Sequence, residues 1–214
     1  MLQELEQRLS ELSHDASAIY EIQAFCNSLK GTLARLQIWN AANAIVRPPI
    51  EPALVHELGF NSQNDDFSLL QGDLVRTESA YFLGERITAQ PKYAVLNSSC
   101  DLVRGRAAYA SLVRILEVRS THPSAKSIIG ELVKFTRRDS MYVPPLPDDS
   151  REVIGNVIQF DGICQIRMDD LLLASRIASL SLVGWRIFAS FTRTVLARAN
   201  PREVEIRTAI ESAG

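Results

Sequence analysis

The sequence predicts an α+β protein, with helices at both ends and an antiparallel β-rich middle. Three observations predict it. Leucine and isoleucine recur at three- and four-residue steps through the N-terminal segment. Short runs of β-branched and aromatic residues, bounded by turn residues, fill the centre. A wide apolar stripe at helical spacing returns near the C-terminus.

The composition supports a real core. Of 214 residues, 46% are hydrophobic and 22% charged, which is the balance of a folded chain rather than a disordered one. A net charge of −2 and a pI near 6.0 argue against a uniformly basic nucleic-acid coat, but not against a local basic face. Cys26, Cys100 and Cys164 are far apart and odd in number. Neither zinc spacing nor a disulfide framework is expected, and reduced thiols in a cytoplasmic protein are the default. No cofactor and no metal are called for. The opening MLQELEQRLSEL is acidic and amphipathic, unlike a signal peptide. The apolar tract at Leu171–Ala174 and Leu180–Trp185 is broken by Arg176 and Arg186 and is too short for a bilayer, so no membrane partner is expected.

The first element, residues 1–46, is helical. Leu2, Leu5, Leu9, Leu12, Ala16 and Ile19 alternate threes and fours, and the stripe resumes as Ile22, Cys26, Leu29, Leu33 and Leu36. The break at Ile19–Ile22 fits a stammer in one long helix or a bend near His14–Ala18. The stripe suits docking on the chain's own β-domain or a short coiled coil, which would give a homo-oligomer or a protein partner through the N-terminal helices. The helical region ends before Arg47-Pro48-Pro49. Residues 47–68 read as a linker, with a short helix at Ala53–Leu58 and a polar loop at Asn61–Asp66. Residues 69–200 form the β-domain with its C-terminal helix, and 201–214 a tail.

Within the β-domain, Leu69–Arg76 holds a turn followed by a short strand, and Lys92–Leu96 is a buried strand. Tyr109–Val118 places Ser111, Val113, Ile115 and Glu117 on one face and Leu112, Arg114, Leu116 and Val118 on the other. Ile128–Phe135 fits a helix or a strand. Ser140–Val143 is a strand closed by Pro144–Pro147, and Val153–Asp161 and Ile163–Met168 follow as strands. Leu171–Ser179 and Leu182–Ala199 read as helices, the first capped by Asp170 and the second closed by Asn200-Pro201.

Asn97–Arg106 (NSSCDLVRGR) leaves a buried strand for a basic loop, a common setting for sites. Arg104 and Arg106 would favour a thiolate at Cys100 if His14, His56 or His122 supplied a base. Otherwise Cys100 is a small buried side chain and Asp101 a loop cap. Arg104, Arg106, Arg114, Arg119, Arg137 and Arg138 offer a phosphate-binding face, or are scattered arginines paired with nearby acids. The adjacent carboxylates of Asp148-Asp149 and Asp169-Asp170 diverge and make no metal pair. The chain has no Walker loop, GxGxxG, HExxH or GxSxG.

Gln71-Gly72-Asp73-Leu74-Val75, followed by Tyr93–Asp101, resembles the opening of the PemK/MazF-like toxins of toxin–antitoxin systems. Together with Cys100-Asp101-Leu102, Leu146-Pro147 and Arg186–Arg198, it also resembles a bacterial family with a GD-aliphatic … CDL signature. The toxin resemblance implies a small SH3-like antiparallel β-barrel and metal-independent RNA cleavage by a loop arginine and a Ser or Thr. Arg86 would take the arginine's place, and Ser98, Ser99 or Ser111 the hydroxyl's. Gln90-Pro91 stands where the toxins carry Arg-Pro. The candidate catalytic set is thus Arg86, Ser99, Cys100 and Asp101, and the candidate nucleic-acid-binding set Arg104, Arg106, Arg137 and Arg138. Two functions follow. One is a protein-interaction module on a toxin-like barrel, accessory to a bacterial toxin–antitoxin or phage-defence system, with RNA as a possible further partner. The other is a metal-independent endoribonuclease. The missing base and hydroxyl and the long helical appendages favour the first.

Overall fold

Helical and alternating patterns sort the chain into a helical layer and a sheet. The computed structural model describes residues 2–12, 17–60, 67–86, 92–196 and 208–210. Helices α1 (Leu2–Glu11), α2 (Ala18–Ser28) and α3 (Gly31–Trp39) lead to strand β1 (Val46–Arg47) and helix α4 (Pro52–Glu57). Strands β2 (Leu74–Arg76), β3 (Tyr81–Phe82), β4 (Glu85–Arg86) and β5 (Lys92–Val95) follow, then a 3-10 turn at Ser99–Leu102. After them come β6 (Tyr109–Arg119), α5 (Ala125–Leu132), β7 (Ser140–Val143), β8 (Val153–Arg167), α6 (Met168–Leu172), β9 (Ser175–Leu180) and α7 (Leu182–Leu196).

The sheet is antiparallel, in the order β1-β9-β2-β5-β6-β8-β3-β4, with β7 added on β8. β1 and β4 stand at opposite ends and do not pair, so the sheet is open. This corrects the expected SH3-like barrel. A sheet curls shut to bury its inner face; here a layer of helices covers one face instead. Val113 and Ile115 of β6 point into a core shared with α1, α2, α5 and α7. Ala110 and Leu112 point the other way, to a smaller core with Val75, Tyr93, Val95, Cys164 and Ile166. The alternation expected for β6 divides the two cores as far as Ile115, but Val118, expected on the face of Leu112, is buried with Val113 and Ile115, and Leu116 packs against the same core.

The two expected strands at 153–168 are one bent strand, β8. Val113 faces Ile163, but the next residue, Arg114, faces Gln159. The bulge at 160–162 bends the strand. Gly162 makes room there, because a Cβ would sit 3.1 Å from Arg114 Nη2.

Leu5, Leu9, Ile19, Ile22 and Cys26 are buried in the same core as Phe188 and Phe191 of α7. The N-terminal stripe thus docks on the chain's own domain, while Leu33 remains 70% exposed. The expected bend falls mostly on residues 13–16, outside those described. Arg35, itself buried, donates to the carbonyls of Cys26 at 2.7 Å and Leu29 at 2.9 Å, satisfying the end of α2. An aromatic chain runs Phe25, Trp39, Phe135, Phe191, Phe160 and Phe188, with successive centroids 5.3–6.1 Å apart.

The expectation for 171–179 needs correction. The helix there is only α6, and the chain then turns into β9, which pairs with both β1 and β2. Pairing supplies partners for three backbones at once, and this outweighs the local helical preference. Asp170 lies within α6, whose N-cap is Arg167, so it does not cap the helix. The polar loop at 61–66, Gln90-Pro91 and the closing Asn200-Pro201 lie outside the described residues. Among the described residues, no helix is long and apolar enough to cross a membrane.

Candidate functional site

At the β3–β4 end the sheet outruns its helical cover. Tyr109 and Ser111 share a face of β6 with Val113, which belongs to the helix-side core, yet Tyr109 is 61% exposed. Directly paired residues share a face. The pairs are Tyr109–Arg167, Ser111–Gln165, Gln165–Tyr81 and Tyr81–Arg86. One row therefore crosses four strands as Arg86, Tyr81, Gln165 and Ser111, with Arg167 and Tyr109 in the next row. Tyr81 is 48% exposed, and Gln165, Arg167 and Arg86 are exposed. Strand geometry sets the Cα atoms of Tyr81 and Tyr109 roughly 12 Å apart. Arg104, Tyr109 and Arg167 border a depression of about 450 Å³, with Asp169 also on its rim.

The candidate catalytic residues are not assembled. Arg86 Nε donates to the Glu78 carbonyl, and its guanidinium lies 3.6 Å from the Glu78 carboxylate. Ser99 Oγ accepts from the Gln71 N–H at 2.9 Å and faces a separate cleft. Cys100 is exposed rather than buried, and its carbonyl accepts from Arg106 at 3.0 Å. In the 3-10 turn it is Leu102, not Cys100, that is buried. Asp101 is exposed, and its carboxylate caps no backbone N–H among the described residues. His14 lies outside the described residues, His56 is in α4, and His122 follows the far end of β6.

The arginines do not form one face either. Arg104 stands before β6, whereas Arg137 borders a groove at its other end, roughly 30 Å away by strand length. Arg137 lies 3.7 Å from Asp139, and Arg138 is exposed beside it.

The Gly72-Asp73 motif ties elements together. Asp73 is 1% exposed, and accepts from Ser179 Oγ at 2.6 Å and the Leu70 N–H at 2.9 Å, with Arg176 Nε at 3.5 Å. Burial pushes its carboxyl above the ordinary 3.8, and the bonds from Ser179 and Leu70 and the charge of Arg176 offset this only in part. Ser179 Oγ also accepts from the Ile50 N–H at 2.9 Å. Arg176 donates to the carbonyls of Ile50 and Ser68. A cleft of about 330 Å³ opens beside this tie, lined by Arg47, Gln71, Asp73, Ser99, Ser181 and Trp185 among others. Trp185 Nε1 donates to Gln71 Oε1 at 3.1 Å, and Gln71 Nε2 to the Leu96 carbonyl at 2.8 Å. The described lining holds no imidazole and no lysine, and its carboxylate, Asp73, is engaged by Ser179 and the Leu70 N–H rather than by Ser99.

The sequence reading missed two features. A groove of about 550 Å³ has Leu116, Ile128, Leu132 and Val157 as its floor and Arg119, His122 and Arg137 on its rim. A buried charge cluster joins Lys92 to Glu117 at 2.8 Å and to Asp149. A lysine opening an apolar strand was its one local signal. Among the described residues no cluster of three metal-ligating side chains occurs. No protein-family model, curated protein or solved structure matches the chain.

Proposed function

We propose that this chain is a non-catalytic binding module whose ligand is single-stranded RNA, laid across the open end of the sheet. The observation that carries the reading is the pair of exposed tyrosines, Tyr81 and Tyr109, on one face with Gln165, Arg167 and Arg104. Bases stack on such rings whatever their sequence, at roughly 1–3 kcal/mol each, and guanidinium groups hold the phosphates between them. Gln165 stands between the rings, where it meets a base edge. The face replaces the N-terminal helices as the interaction surface, since the apolar stripe of those helices is buried. RNA as the strand type, a cytoplasmic setting and an accessory role in toxin–antitoxin or phage-defence systems rest on the resemblance noted above.

Binding is favoured over cleavage by two distances. Arg86 and Ser111 stand three strands apart in their row, roughly 14 Å at Cα. Arg86 is also turned toward Glu78. The test is fluorescence anisotropy of a labelled single-stranded RNA at two salt concentrations. Tyr81→Ala and Tyr109→Ala should each weaken binding about 5- to 150-fold. Arg104→Ala should lower the salt slope by about one. The RNA should stay intact throughout. Absence of saturable binding at low salt overturns the proposal, and cutting that needs Arg86 and Ser111 revives the endoribonuclease.

A further inference from the structure

Lys92 and Asp149 are enclosed charges, remote in sequence and away from the tyrosine face. Their side chains are 3% and 2% exposed. Lys92 Nζ lies against Asp149 Oδ1 and 2.8 Å from Glu117 Oε1. The other carboxylate oxygen, Asp149 Oδ2, accepts two N–H bonds, from Leu146 at 2.7 Å and Asn156 Nδ2 at 2.7 Å. The cluster thus holds an amine beside a carboxyl carbon, a carboxylate base one hydrogen bond from that amine, and two donors on one carboxyl oxygen. Those are the parts of an acyl-transfer site: nucleophile, base and oxyanion donors.

We propose that Lys92 and Asp149 condense into a side-chain amide, a covalent cross-link made by the chain itself. Glu117 takes a proton from the Lys92 ammonium, and Nζ attacks Asp149 Cγ. Negative charge gathers on Oδ2, facing the Leu146 and Asn156 donors. Glu117 returns its proton to Oδ1, then takes a second from the nitrogen and passes that to Oδ1 as well. The Cγ–Oδ1 bond breaks, and Oδ1 leaves as water. One proton stays on the amide nitrogen. The ammonium's positive charge and the carboxylate's negative charge cancel, so no oxidant, reductant or co-substrate is consumed.

Two observations favour the step. An ion pair in so dry a place carries a heavy desolvation cost, and the amide removes both charges. Asn156 is fully buried, and its side-chain Oδ1 has no partner, while its Nδ2 donates to Asp149 and to the Pro144 carbonyl at 3.2 Å. The fold leaves that oxygen unsatisfied and keeps the donor aimed at Asp149 Oδ2. In the product, Oδ2 keeps its two donors, the amide N–H can donate to Glu117, and Glu117 keeps Arg119 at 2.7 Å.

Intact mass spectrometry of the purified, fully denatured chain tests this. A single water is lost, so the expected mass is about 18 Da below that of the sequence. Trypsin should release segment 87–104, uncleaved at Lys92, joined to segment 139–151. Glu117→Gln and Lys92→Met should each restore the full sequence mass. Wild-type protein at the full sequence mass after prolonged incubation at neutral pH overturns the proposal. So does a water loss confined to one linear peptide, as an aspartyl succinimide would give.

Discussion

Replacing Gly184 with alanine sets two effects of opposite sign against each other. Gly184 lies in the first turn of α7, where alanine is intrinsically better by about 1 kcal/mol. A Cβ there would sit 2.1 Å from the Ile45 carbonyl oxygen and 2.9 Å from its carbon. Both are backbone atoms, so no side-chain rotation relieves the clash, and α7 must shift by an ångström or more. That shift works against the Ser181 N–H bond to Ile45 at 2.8 Å and the Ser181 Oγ bond to the Ala44 carbonyl at 2.8 Å. Overpacking costs about 1–3 kcal/mol and each weakened bond about 1 kcal/mol. After the propensity gain is subtracted, Gly184→Ala should destabilise by about 2–4 kcal/mol. At about 2–4 °C per kcal/mol for a chain of this size, Tm falls by about 4–16 °C. Gly130→Ala is the control. It lies mid-helix in α5, and its Cβ would meet only Thr32 Oγ1, at 3.6 Å. It should raise Tm by a few degrees. Thermal denaturation followed by circular dichroism reads both variants. A Tm for Gly184→Ala equal to or above that of the parent refutes the reasoning.

Two further predictions concern the core and the buried carboxyl. Leu9 is fully buried, so Leu9→Ala should cost about 2–5 kcal/mol in urea unfolding without changing the mass seen by light scattering. A lower mass with unchanged stability would mean that the stripe serves assembly after all. Asp73 holds its proton to a higher pH in the folded state than in the unfolded chain. Its contribution to stability is therefore present below about pH 4 and lost as pH rises through the raised folded value. Asp73→Asn should flatten that part of the stability–pH curve, and an unchanged slope in urea midpoints counts against the burial argument.

Periodicity made some of this fold legible and was silent on the rest. The leucine stripe of α1 and α2, the short helix after Pro52, the buried strand at Lys92 and the alternation of β6 each depend on neighbours a few residues away, and each is present. β9 escaped because its partners, Leu74–Arg76 and Val46–Arg47, lie about a hundred residues or more upstream. Its own apolar residues continue those of α6, so local pattern favoured a longer helix. The barrel was expected from the resemblance of Gly72–Val75 and Tyr93–Asp101 to the toxins, and alternation, which shows that a strand has two faces but not whether the sheet closes, could not correct it. The tyrosine face was invisible for a related reason. Tyr81 and Tyr109 are brought together only by β8, which lies between them. Arg86 and Arg104 were singled out as loop arginines, and the fold places both at the borders of that face. Lys92 and Asp149 meet across 57 residues, with no pattern to announce it.

The pairing of β1 with β9, and of the α1–α2 leucines with α7, has a consequence for how the protein is born. Synthesis makes the N-terminal helices first, yet the surfaces that cover Leu5, Leu9 and Ile22 include Phe188 and Phe191. Until about residue 196 is available, the apolar face of the nascent N-terminal helices lacks the part of its cover that α7 supplies, and β1 has no strand to pair with. Contacts of such separation close slowly. The interval between the two ends is when the chain is most prone to aggregate and most in need of a chaperone.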